Sequence, residues 1–150
     1  MVEARGKEEL VLRYFAARVY RDRFKGNISD WLDNFMEEVL LKTFNFNEDE
    51  EWKIFTALFD ELRTKFGSYA FVKYRGGQPI GGVAPAYYEA VTCGSIEAFD
   101  NLKSLSPDEA KFRLAKIVES EEFRAVTGPG ANSLPKMNER IRLIGRTFTA

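Results

Sequence analysis

No histidine occurs among the 150 residues, and cysteine occurs once, at Cys93. The first absence excludes Ser-His-Asp and Cys-His catalysis, and any imidazole metal ligand, within the chain. The second excludes an internal disulfide and a thiolate zinc site. Net charge is lacking too: 22 basic side chains oppose 23 acidic ones, so the total of −1 does not mark a nucleic-acid binder. No apolar run approaches the roughly 18 residues of a membrane-spanning helix, and Met1 to Lys7 lacks the apolar core of a targeting signal. The expectation is a cytoplasmic protein with no membrane partner and no cofactor.

Large apolar side chains are abundant. Apolar residues make up 45% and aromatics 14%, with 13 Phe, enough to fill a core and to set the chain apart from disordered compositions. Their period is helical. From about Lys7 to Arg23, Val11, Leu12, Phe15, Ala16 and Val19 share one side of a 3.6-residue wheel. Asn27 or Ser29 caps a second helix with the stripe Leu32, Phe35, Met36, Val39 and Leu40. Asn47, followed by Glu48 to Glu51, starts a third, with Trp52, Phe55, Phe59, Leu62 and Phe66 inward and Gly67 at its end.

Ser68 to Arg75 reads as irregular, and the loop from Gly76 to Gly82, with four glycines in seven positions, as a connector. A fourth helix is expected from about Pro85 to Phe99. A fifth starts at Ser106-Pro107-Asp108-Glu109 with Ala110, Leu114, Ile117 and Val118 inward, followed by a short helical turn over Glu121 to Val126. The last, from Leu134 or Pro135 to Phe148, carries Met137, Ile141, Ile144 and Phe148 as its seam. The fold class predicted is all-α, a single bundle-like domain of about six helices over residues 1–150.

The neutral total hides segregation. Residues 1–25 hold seven basic and four acidic side chains, residues 26–62 two and ten, and residues 127–150 four and one. Phosphate binding needs accessible Lys and Arg clusters, which makes Lys136, Arg142, Arg146, Arg13 and Arg21 the candidate nucleic-acid contacts. Arg140 stands apart: it lies beside the Ile141/Ile144 seam and is expected to pair within the structure. Asn132 and Ser133 precede a helix N-terminus, where free N–H groups favour an anion, although a plain cap explains both residues. The glycine loop lacks the Gly-Lys-Ser/Thr ending of a phosphate loop, and Glu48 to Glu51 lacks the spacing of a calcium loop. No catalytic residue and no metal ligand is singled out.

Glu8 to Ala16, then Phe24 to Met36, Phe66-Gly67, Phe71 to Tyr74, Ala86 to Ala90, Thr127 to Ser133 and Asn138 to Ile141 occur in an order that resembles a known family. The chain is similar to the helical C-terminal half of the ParB/sulfiredoxin-like N-terminal domain of GmrSD-type restriction proteins. The resemblance implies a bacterial or archaeal defence setting against foreign DNA. It also implies a ParB-like catalytic half, in the same chain or a separate one, as partner. That half carries the family's Asp-Gly-Gln-Gln-Arg signature; here the nearest string, Gly77-Gln78-Pro79, has neither the Asp nor the Arg.

The expected function is a non-catalytic lobe that packs on a catalytic half and assists DNA binding. The alternatives are a protein-interaction module without DNA contact, using the acidic segment 26–62 or an aromatic patch that includes Phe112, and a free-standing hydrolase.

Overall fold

The computed structural model describes residues 2–150, with side chains from Glu8 onward. It is all-α, as the period predicts, with eight α-helices among the described residues: α1 (Val2–Val19), α2 (Ile28–Leu40), α3 (Glu48–Phe66), α4 (Pro85–Glu97), α5 (Phe99–Ser104), α6 (Pro107–Val118), α7 (Glu121–Ala125) and α8 (Leu134–Thr149). A 3-10 turn at Arg21–Arg23 follows α1.

The polar starts behave as the sequence suggests. Asn27, Asn47, Ser106 and Ser133 each accept a hydrogen bond from the backbone N–H three residues on, satisfying a donor that the helix leaves free. The connector is more ordered than expected. Lys73–Arg75 (β1) and Gln78–Ile80 (β2) pair antiparallel around Gly76-Gly77. Both glycines have positive φ, 59° and 79°, which a two-residue hairpin turn requires.

The molecule is organised around α4 and α8. Nine consecutive residues of α4, Tyr87 to Ser95, are buried, so this helix has no wet face. Against it lies the predicted seam of α8, with Met137, Ile141, Ile144 and Phe148 all buried. One cluster of apolar side chains joins α3, α4, α6, α8 and the hairpin. A second joins α1 and α2 to Cys93 of α4 and to Met137 and Ile141 of α8.

Two predicted stripes are rotated. In α2 the buried residues are Trp31, Leu32 and Phe35, while Met36 and Leu40 are 45% and 76% exposed. The indole turns the helix inward: Trp31 Nε1 donates to the Tyr20 carbonyl at 2.9 Å, and its ring packs on Phe24. In α3 the buried face is Leu58, Leu62, Lys65 and Phe66. Trp52, Phe55 and Phe59 form a partly exposed stack, with ring centroids 5.0 and 4.4 Å apart, beside Phe15 of α1. The predicted fourth helix is also broken, between Glu97 and Phe99, into α4 and α5.

Candidate functional site

Glu89 is the least expected residue of the core. Its α4 position is fully buried among apolar neighbours, where a lone carboxylate is costly. Two guanidinium groups satisfy it. Arg13 Nη2, from α1, donates to Oε2 at 3.0 Å, and Arg140 Nη2, from α8, donates to Oε1. Arg140, itself 0% exposed, also donates through Nη1 to the carbonyls of Val126 and Ala131 at 3.0 and 2.9 Å. One carboxylate thus ties three helices together, and its second arginine closes the loop that leads into α8.

This network changes the standing of several predicted residues. Arg13 is 8% exposed and bound to Glu89, so its guanidinium lies inside the protein, away from any phosphate. Ser133 Oγ accepts from Lys136 N, the N–H that an anion at the start of α8 would need. Lys136 Nζ donates to the Gly130 carbonyl at 3.0 Å. The Asn132–Ser133 loop is therefore held as a capped turn, with its carbonyls facing cations. Arg21 Nη2 stands 3.7 Å from Glu97 Oε1, and Arg142 forms a two-point pair with Glu139 at 2.8 and 2.5 Å.

Arg142 and Arg146 share the outer face of α8, one turn apart, and Arg146 has no ion-pair partner among the described residues. Lys136 lies about 120° around the helix from Arg142. The five predicted cations are consequently not brought onto one surface. Arg146 borders a groove of about 450 Å³ between α6 and α8, whose rim includes Lys116 and the 63% exposed ring of Phe112.

The other exposed apolar surface lies on α2. Asp33, Met36, Glu37 and Leu40 follow the i, i+3, i+4, i+7 spacing of one helix face, and Leu41 extends it. Together they line a shallow depression of about 360 Å³. The opposite side of α2 is fixed by the Trp31 bond and by the Tyr20 hydroxyl, which donates to Glu38. Arg18 adds a brace from α1 to α3, donating from Nε to Glu51 at 2.6 Å.

The chain matches no family model, no curated protein and no solved structure.

Sequence reasoning missed Glu89, although a signal was present. It is the only charged residue between Pro85 and Ile96, set within Tyr87-Tyr88-Glu89-Ala90-Val91, and an isolated charge in such a segment needs an internal partner. Among the described residues, no three Asp, Glu or Cys side chains converge as a metal site.

The core also holds weak acids in their neutral forms. Burial pushes the Cys93 thiol up to about 12 and raises the Tyr14 and Tyr88 phenols above their ordinary range. Raised values in the folded state mean that the unfolded chain releases these protons first. The associated stability is intact below about pH 8 and is lost progressively as pH climbs from the ordinary thiol and phenol range toward the raised folded-state values. Urea unfolding should give the same midpoint at about pH 7 and 8, and a falling midpoint between about pH 9.5 and 11.

Proposed function

We propose that the chain is a non-catalytic helical lobe that works by docking on a partner protein. The observation carrying this reading is the outer face of α2, where Met36, Leu40 and Leu41 are 45%, 76% and 65% exposed on a helix whose other side is firmly packed. Adjacent exposed apolar side chains with an acidic border are what a contact surface presents. The burial of Glu89 supports the same reading, since both of its oxygens accept from arginines that bind helices together. By the family resemblance, the partner is a ParB-like catalytic half, in the same chain or a separate one, in a DNA-directed defence system.

A second reading adds DNA contact. Its support is the outward pair Arg142 and Arg146 on α8, with Lys116 exposed across the groove. Phosphate contact by so few cations gives weak binding with a steep salt dependence.

Both are tested by mixing the chain with a ParB-like half bearing the Asp-Gly-Gln-Gln-Arg signature and measuring association by calorimetry, then titrating duplex DNA at about 50 and 200 mM salt. A stoichiometric complex is expected, with DNA affinity only at the lower salt. Absence of a complex overturns docking on that partner. Absence of DNA affinity at low salt removes the second reading.

A further inference from the structure

The docking reading leaves the partner's chemistry open, and the charges around α2 narrow it. From Ile28 to Leu41 the chain carries four acidic side chains, Asp30, Asp33, Glu37 and Glu38, and no basic one. Glu38 receives the Tyr20 hydroxyl and lies 3.7 Å from Arg23. Asp33 and Glu37, which border Met36 and Leu40, have no ion-pair partner among the described residues. The nearest cations along the chain, Lys25 and Lys42, sit beyond the two ends of α2. The apolar strip is therefore edged by two carboxylates that form no ion pair among the described residues.

We propose, resting on the docking reading above, that the Met36–Leu40–Leu41 face receives an amphipathic helix of a partner protein whose apolar stripe is flanked by Lys and Arg. The shape fits a helix: the exposed residues run along one face of α2 at i and i+4, the spacing at which one helix packs lengthwise on another. The charge fits a cation-flanked one, because Asp33 and Glu37 gain partners on contact.

A second copy of this chain fits badly in either orientation. Face to face, α2 against α2 sets Asp33 and Glu37 against their own copies, a repulsive arrangement. Head to tail, α2 against the Phe112–Arg146 groove uses two different surfaces of each copy and propagates without closing unless the rotation forms a ring. Met36 suits a helical occupant, since its unbranched side chain adapts to an irregular neighbour.

The test uses two labelled helical peptides of about five turns with the same Leu/Met stripe, one flanked by Lys and the other by Glu. Fluorescence anisotropy is read with the intact chain and with L40S/L41S, whose positions are exposed and leave the net charge unchanged. The Lys-flanked peptide should bind the native chain about tenfold or more tightly than the Glu-flanked one, and lose about tenfold or more on L40S/L41S. Equal affinity of the two peptides overturns the proposal, as does unchanged affinity for L40S/L41S. A dimer of the native chain that L40S/L41S abolishes also overturns it, assigning the face to a second copy.

Failure here is separable from failure of docking itself. If the ParB-like half binds the native chain and L40S/L41S equally, docking stands and this surface assignment falls. If the Lys-flanked peptide binds as expected and the ParB-like half does not bind at all, the surface stands and the partner proposed above falls.

Discussion

Replacing Glu89 by glutamine is expected to destabilise the protein by about 3–5 kcal/mol, lowering the melting temperature by on the order of 10 °C. The substitution keeps size and shape but removes the negative charge between Arg13 and Arg140, leaving the fully enclosed Arg140 guanidinium with no counter-charge and the nearly enclosed Arg13 with only the 3.9 Å contact to the exposed Glu9. Removing one partner of a buried pair costs far more than the pair contributes, because the desolvation of the remaining charge is no longer offset. Glu139→Gln is the contrast. It removes the partner of Arg142 at the surface, where water takes over, and should leave the melting transition nearly unchanged.

The effect has a local signature as well. Arg140 holds the Val126 and Ala131 carbonyls, so weakening its anchorage should speed amide exchange across residues 126–133 more than in α3. Uniform acceleration over the whole chain would show that Glu89 does not act through the loop. A triple replacement, Arg13→Met, Glu89→Leu and Arg140→Met, removes all three charges of the network and should recover part of the lost stability, the remainder reflecting the Val126 and Ala131 carbonyls left without their donor.

Much of the fold was legible because local signals and burial agreed. The caps at Asn27, Asn47, Ser106 and Ser133 act within their own turn, and the α8 seam faces helix α4, buried from Tyr87 to Ser95. The rotated stripes of α2 and α3 were illegible for a common reason: each helix carries apolar residues on more than one side, so period alone does not choose the buried one. In α2 the choice falls to the Trp31 indole and its hydrogen bond to Tyr20, a contact between segments. The exposed Met36 and Leu40 follow from that choice, and so the proposed docking face was hidden as an ordinary core stripe. Arg140 could be read from its neighbours Ile141 and Ile144, whereas its partnership with Glu89, 51 positions away, could not.

Replacing Gly94 by alanine is expected to destabilise the protein by about 2–3 kcal/mol, although alanine is the better helix former by about 1 kcal/mol. At this α4 position a Cβ would lie 2.7 Å from the Ile141 carbonyl oxygen and from the Ile144 Cβ, both on α8. Neither atom is the far end of a flexible chain, so relief requires the two helices to move apart, and overpacking of this kind outweighs the propensity gain. Gly145, at the same crossing, gives the opposing test. There a Cβ meets the Gly94 carbonyl oxygen at 3.3 Å and the Glu97 Oε2 at 3.5 Å, contacts that a small shift relieves. Gly145→Ala should therefore change stability by less than about 1 kcal/mol, because the strain and the gain in helix propensity nearly cancel. Chemical denaturation of both variants distinguishes a glycine required by the approach of α8 from one that is merely tolerated. Similar losses for the two would mean that the α4–α8 crossing is closer along its whole length. Met36, Leu40 and Leu41 lie on the exposed side of α2, opposite the Trp31, Leu32 and Phe35 side that shares a core cluster with Cys93 and Ile141. Folded Gly94→Ala protein should accordingly keep its affinity for the Lys-flanked peptide.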